Sequence, residues 1–199
     1  MQPFFEGVFM KNYLPLIPYP NEVNFFNNTS DINFSEISFE KEENILQKDE
    51  YKIEIRNGKI SVKYSDEQGK FYAEKTLLQL KNSEEKIPDC IIKDKPQFSH
   101  RGFMLDPCRH FLTVDEIKKI IDAASYLKMN VFHWHLSDDQ GFRIESKKFP
   151  LLNEIGSHRK NSLFGRTNEG KPHGGFFTHE ETKDVVEYCR ERHIDVIPE

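Results

Sequence analysis

The sequence predicts an α/β protein in two parts. A small α+β domain with a mostly antiparallel sheet spans residues 1–96, and the first three strands of a parallel barrel span residues 97–199. Three observations predict this. Two alternating apolar runs flank Asn57-Gly58 in the first half. Short apolar runs at 102–106, 130–136 and 193–198 in the second half are separated by segments of helical period, the order that strand, crossover helix and parallel strand produce. The first two of these runs end on or just before carboxylates, and polar residues past the C-terminal ends of parallel strands line sites in α/β folds.

Residues 1–20 carry four prolines and several aromatics and read as an irregular lead-in. From 22 to 40 alternation is patchy, with Val23, Phe25, Ile32, Phe34, Ile37 and Phe39 as strand positions. From 51 to 64 it is clear. Tyr51, Ile53 and Ile55 alternate with charged residues, Asn57-Gly58 follows, and Ile60, Val62 and Tyr64 alternate again. Asn-Gly between such runs signals a two-residue hairpin, because both turn residues need positive φ. Residues 69–80 have helical spacing, with Phe71 or Tyr72, the Lys75 stem, Leu77 and Leu78 expected inward. Residues 87–94 read as a last strand, and Asp94-Lys95-Pro96 closes the domain.

In the second part, 102–106 reads as a short buried strand. Thr113 with Glu116 makes a capping box, and Val114, Ile117, Ile120, Ile121, Ala124 and Leu127 lie on one helical face. The run 130–136 is apolar and aromatic throughout, as suits a strand buried on both faces. A long polar segment, 137–177, follows, with a helix or turn near 150–155. It is too long for an ordinary connection and is expected to carry function. Thr178 and Glu181 form a second capping box, opening a helix with Val185, Val186 and Cys189 inward. Residues 193–198 are a third strand. Three strands and two crossover helices take about 100 residues here, whereas a closed barrel takes roughly 250. The expectation is therefore a truncated TIM (β/α)8 barrel within a fragment of a longer protein, ending on an open apolar edge at Val196-Ile197.

Composition narrows the function classes. A net charge of −5 and the lack of a basic stripe argue against nucleic acid as a partner. Cys90, Cys108 and Cys189 are odd in number and widely spaced, so they predict neither a metal site nor a disulfide framework. No apolar run approaches the ~20 residues of a membrane helix. The N-terminus has no sustained apolar core of a signal peptide.

The chemistry-bearing residues sit after the first two barrel strands. Asp138 and Asp139 follow the second. Adjacent carboxylates on an extended chain point to different sides, so one could face a ligand while the other holds the loop; a solvated pair is the alternative. Asp106 ends the first strand, and Arg109 and His110 follow. Arginine offers a planar fork suited to vicinal hydroxyls or a carboxylate, and a salt bridge from Arg109 to Asp106 is the competing role. His133 and His135 share one side of their strand. They could begin a zinc site, but packed histidines with hydrogen-bond partners are the favoured reading, and no metal or cofactor is expected. His158-Arg159 and His173 with Gly174-Gly175 carry no usable spacing. Phosphate loops, dinucleotide fingerprints and nucleophile elbows are missing.

The ordered set RGFMLDPCRH, KMNVFHWHLSDDQGFR, FPLLNEIGSHR and VIPE resembles glycoside hydrolase family 20, the β-N-acetylhexosaminidases, over residues 99–199. Residues 1–96 resemble, more faintly, the small domain that precedes the barrel there. The resemblance implies removal of terminal non-reducing N-acetylglucosamine or N-acetylgalactosamine with retention. The substrate's own acetamido oxygen attacks the anomeric carbon, an exception to the two-carboxylate scheme. It implies that Arg109 hydrogen-bonds the sugar's hydroxyls. It also implies that Asp138 supports catalysis by pairing with a histidine that follows the VIPE segment in the family. Glu199 matches a strand-end glutamate of open role. The family's Asp-Glu acid/base pair follows its fourth strand and is not among these residues, so the fragment is expected to be inactive by itself. Phe142 departs from the tryptophan of many relatives. The partners implied are N-acetylhexosamine-terminated glycans, with no membrane and an open oligomeric state. Such enzymes are often secreted, periplasmic or lysosomal. From another class, a non-catalytic carbohydrate-binding or protein-interaction fragment is the alternative.

Overall fold

The structure, a computed structural model, describes residues 13–42, 46–83, 86–160 and 172–199. The readings made for residues 1–12 and for 161–171 of the polar segment lie outside the described residues. The chain folds as two compact units, 1–97 and 98–199.

The first unit contains β1 (Glu22–Thr29), β2 (Ile37–Lys41), β3 (Tyr51–Arg56), β4 (Lys59–Tyr64), α1 (Glu67–Asn82) and β5 (Pro88–Asp94). The sheet order is β1-β5-β3-β4-β2. Every pairing is antiparallel except β2 with β4. The β3–β4 hairpin turns on Asn57 (φ 52°) and Gly58 (φ 76°), the left-handed geometry its sequence calls for. One residue in two along β3 and β4 is buried: Tyr51, Ile53, Ile55, Ile60 and Val62. They pack with Cys90 and Ile92 of β5 and with Tyr72, Ala73, Leu77 and Leu80 of α1. Asp66 caps α1 by accepting from Gly69 N at 2.8 Å, so the helix starts earlier than its apolar spacing suggests. Leu78, expected inward, is exposed. Tyr72, Thr76 and Leu80, four apart, fix the buried stripe, and Leu78 falls almost opposite its centre. Lys75 lies on the helix flank with Nζ 4.5 Å from the Phe71 ring centroid.

The second unit opens with β6 (Gly102–Leu105), α2 (Val114–Tyr126) and β7 (Val131–Trp134). Next come the short strands β8 (Ser137–Asp138) and β9 (Gly141–Phe142), the single turn α3 (Leu151–Glu154), and the strands β10 (His158–Arg159) and β11 (His173–Gly174). α4 (His179–Arg190) and β12 (Asp195–Pro198) close it. β12, β7 and β6 form a parallel sheet in that order. Thr113 and Thr178 each close a full capping box with Glu116 and Glu181. Ile117 and Ile121 of α2 and Val185 and Cys189 of α4 pack on Phe132, Trp134, Leu136 and Phe177. Central β7 is buried along Val131, Phe132 and Trp134, but Met104 of β6, read as part of a buried strand, is 52% exposed. β6 is an edge of the sheet, and only its alternate residues meet the helices. Leu127 and Val186 are also exposed, correcting their inward assignment. Leu127 is the C-cap of α2, past its last turn, and Val186 is one residue off the stripe set by Val185 and Cys189.

The polar segment is more structured than its sequence suggests. β8 and β9 form a hairpin, β10 pairs with β11, and Ile144 bridges Phe177. Two-residue strands carry no periodicity to read. All three cysteines are free and buried, and burial pushes each thiol up to about 12.

Candidate active site

The register of the parallel sheet builds the site. Leu105 of β6 and Pro198 of β12 both lie opposite Trp134 of β7. The next residues, Asp106, His135 and Glu199, are therefore neighbours beyond the strand ends. His135 Nδ1 is 3.6 Å from Asp106 Oδ1 and 3.8 Å from Glu199 Oε2.

Arg109 reaches into this group from the turn after β6. Its backbone N–H donates to Asp106 Oδ1 at 3.1 Å, which fixes the turn. Its guanidinium Nη1 meets Asp106 Oδ2 at 3.1 Å and His135 Nδ1 at 3.0 Å. Nη2 meets Asp138 Oδ2 at 2.8 Å, and Nε donates to Gln140 Oε1 at 2.8 Å. The expected salt bridge to Asp106 is therefore present, and the second carboxylate, Asp138, is held by the same fork. Both side chains keep partial access to solvent, 28% for Arg109 and 21% for Asp138.

Because a guanidinium only donates, His135 Nδ1 is the acceptor in its contact with Arg109. Nε2 then carries the proton and lies 3.2 Å from Asp138 Oδ2. His135 is thus the packed, partnered histidine that its sequence context favours. His133, on the same side of β7, differs: its side chain is 40% exposed and Nε2 lies 2.7 Å from Glu199 Oε2. Among the described residues, no three His, Cys, Asp or Glu side chains are grouped to hold a metal ion. A cation beside His135 would also face the positive Arg109.

Asp138 and Asp139 do not diverge as expected of an extended chain. Asp138 ends β8, but Asp139 and Gln140 form the two-residue turn to β9, where strand alternation no longer applies. Asp139 N donates to Asp138 Oδ1 at 2.7 Å. The Asp139 side chain also hydrogen-bonds Asp138. That bond foremost, with Arg109 and His135 adding to it, holds the Asp138 carboxyl below the usual range. The same bond raises Asp139, so of the two Asp139 takes a proton first.

Several contributors carried no readable signal. Gln140 orients the Arg109 fork through Nε and accepts at its backbone oxygen from Arg159 Nη1 at 3.1 Å. His173 Nε2 accepts from Phe111 N at 2.7 Å, and its ring stacks on His110 at 4.2 Å. Arg143 is fully buried beneath the Arg109 turn. Gln140, Arg143 and Arg159 lie inside the motifs that carry the resemblance, but no spacing assigns them a role, since each acts across loops that only the folded chain brings together.

The family model described as glycosyl hydrolase family 20, catalytic domain, matches residues 98–199, and that family's domain 2 matches 26–95. The chain belongs to glycosyl hydrolase family 20. It is 42% identical over 164 residues to a β-hexosaminidase of Porphyromonas gingivalis, which covers 77% of this chain and 20% of that protein. A solved β-N-acetylhexosaminidase superposes with a TM-score of 0.84 at 33% identity, over 94% of this chain and 39% of the other. An exo-β-N-acetylglucosaminidase of Vibrio harveyi in complex with N-acetylglucosamine superposes with a TM-score of 0.80 at 29% identity, over 92% and 35%. The chain thus spans a fifth of that relative's length and under two fifths of the two solved chains.

Proposed function

We propose that the full-length protein carrying these residues is a β-N-acetylhexosaminidase. It removes terminal non-reducing N-acetylglucosamine or N-acetylgalactosamine with retention, the substrate's acetamido oxygen acting as nucleophile. On this reading residues 97–199 are the first three β/α strands of a TIM (β/α)8 barrel, and residues 1–96 are the preceding α+β domain. Arg109 binds the sugar's hydroxyls. Asp138 tunes the acid/base through a histidine supplied by a later segment, a carboxylate–imidazole contact that shifts proton affinity by charge and hydrogen bonding. The chemistry needs no metal or cofactor.

The observation that carries this is the Arg109–Asp138 pair, 2.8 Å apart at the strand ends of a family member. The test is release of nitrophenol from a nitrophenyl N-acetyl-β-glucosaminide and its galactosaminide. The full-length protein turns over one or both. Purified residues 1–199, which lack the Asp-Glu acid/base pair, turn over neither. An inert full-length protein refutes the activity, and turnover by residues 1–199 refutes the placement of the acid/base outside them.

A further inference from the structure

We propose that Arg143 is a positioning residue that sets the aim of Arg109, an inference that rests on the sugar-binding role given to Arg109 above. Arg143 follows β9, and its side chain is fully buried. Among the described residues its guanidinium hydrogen-bonds only to backbone carbonyls, and its Cζ lies 5.6 Å from the Phe111 ring centroid. Nε donates to Pro107 O at 2.8 Å, Nη2 to Cys108 O at 3.0 Å and Nη1 to Gly175 O at 3.0 Å, and Nη1 also donates to Ser157 O. Burial lowers its proton affinity, as expected for a cation removed from water without a hydrogen-bonded carboxylate. A buried charge is tolerated only when its donors are satisfied, and here three separate chain segments satisfy it.

Two of those carbonyls belong to Pro107 and Cys108, the residues immediately before Arg109. The rest of the turn is tied as well. Cys108 Sγ donates to His135 O at 3.1 Å, and Arg109 N is held by Asp106. Arg143 itself sits on a fixed base, its N–H on Leu136 O and its carbonyl on Phe177 N, both at 2.7 Å. A charged planar fork on two successive carbonyls fixes the plane of the peptide that leads into Arg109. Gly141 makes room for this: a Cβ there would lie 2.6 Å from Arg143 Cζ and 2.7 Å from Cys108 O. The Arg143 side chain touches none of the residues assigned to the sugar, so its influence runs through the turn.

The test is a double-mutant cycle in the full-length protein, read with a fluorogenic N-acetylglucosaminide. Arg143→Lys keeps the charge but replaces the fork with a single point donor. It should lower kcat/KM by 10-fold or more, towards the order of 100-fold that a misplaced binding group costs. The loss should divide between kcat and KM in the same proportion as that of Arg109→Ala. In an Arg109→Ala background the same change should cost less than about 2-fold, because the group it aims is gone. Equal losses in both backgrounds, or unchanged kcat/KM per folded molecule, would overturn the proposal. If Arg143→Lys does not fold, Gly141→Ala pushes the same guanidinium off Cys108 O and takes its place in the cycle, with the same criteria. An inactive wild type sinks the functional reading, whereas an active wild type with additive losses sinks only the positioning role.

Discussion

Arg109 joins two carboxylates, an imidazole and an amide in one fork, so removing it does more than delete a donor. Asp106 and Asp138 would be left without the cation they share. Arg109→Ala in the full-length protein should lower kcat/KM by on the order of 1,000-fold, as when a site's polar partner for substrate is lost. Unchanged kcat/KM would remove Arg109 from the sugar site. His173 offers a second residue-scale expectation. Its Nε2 accepts from Phe111 N, and the ring is partly buried and faces His110, Arg143 and Arg159. Burial first, then these neighbours, lower its affinity for a proton. Between the ordinary value near 6.5 and the lower folded one, the unfolded chain binds more protons, so stability rises with pH through that window and is lost below it. An NMR titration of the imidazole C–H should give a midpoint under 6.5, and His173→Gln should flatten the stability profile in that interval. A midpoint above 6.5 would contradict the contact.

At the scale of elements, local chemistry decides ends and turns, and packing decides faces. Thr178→Ala removes one partner of a closed capping box and should cost about 1 kcal/mol in urea unfolding. Gly58→Ala should cost more than about 1 kcal/mol, since it places a Cβ 2.5 Å from Asp31 O at φ +76°. A cost below about 0.3 kcal/mol would mean that the β3–β4 turn relaxes. Both capping boxes and the Asn-Gly hairpin are legible in the sequence because each signal lies within four residues. Leu78 is misread because it follows Leu77 in the chain yet falls almost opposite the stripe, Leu127 because the helix ends before it, and Val186 because an apolar residue beside a stripe looks like part of it. Only the neighbours that cover the stripe settle its centre. The β8–β9 turn is misread for a related reason. Strand alternation would part Asp138 and Asp139, but the two-residue turn they enter brings the carboxyls together.

Across the whole molecule, several carboxylates are held below their ordinary range. Asp66 owes this to backbone bonds from Asp49 and Gly69 that outweigh its burial, and Glu116 to bonds from Thr113. Each contributes stability that is present above the unfolded carboxyl range near pH 4 and lost as pH falls through the lower folded values. These carboxylates should therefore add no slope to the denaturant midpoints between pH 7 and 5, where His173 acts, and should make them drop between pH 4 and 2. A flat acid limb would contradict these contacts.

The sequence by itself determined the strand–helix–strand order, the hairpin, both helix caps and the family, because these rest on neighbours in the chain or on an ordered set of motifs. It placed Arg109 and Asp138 past two strand ends without saying that they touch. Tertiary structure decided that they share one ion pair, that His135 presents Nδ1 to the guanidinium, and that Arg143 lies buried under the turn. Those facts depend on the register of parallel strands and on loops far apart in sequence. Registers and loop contacts are fixed by what packs across them, which no local window contains.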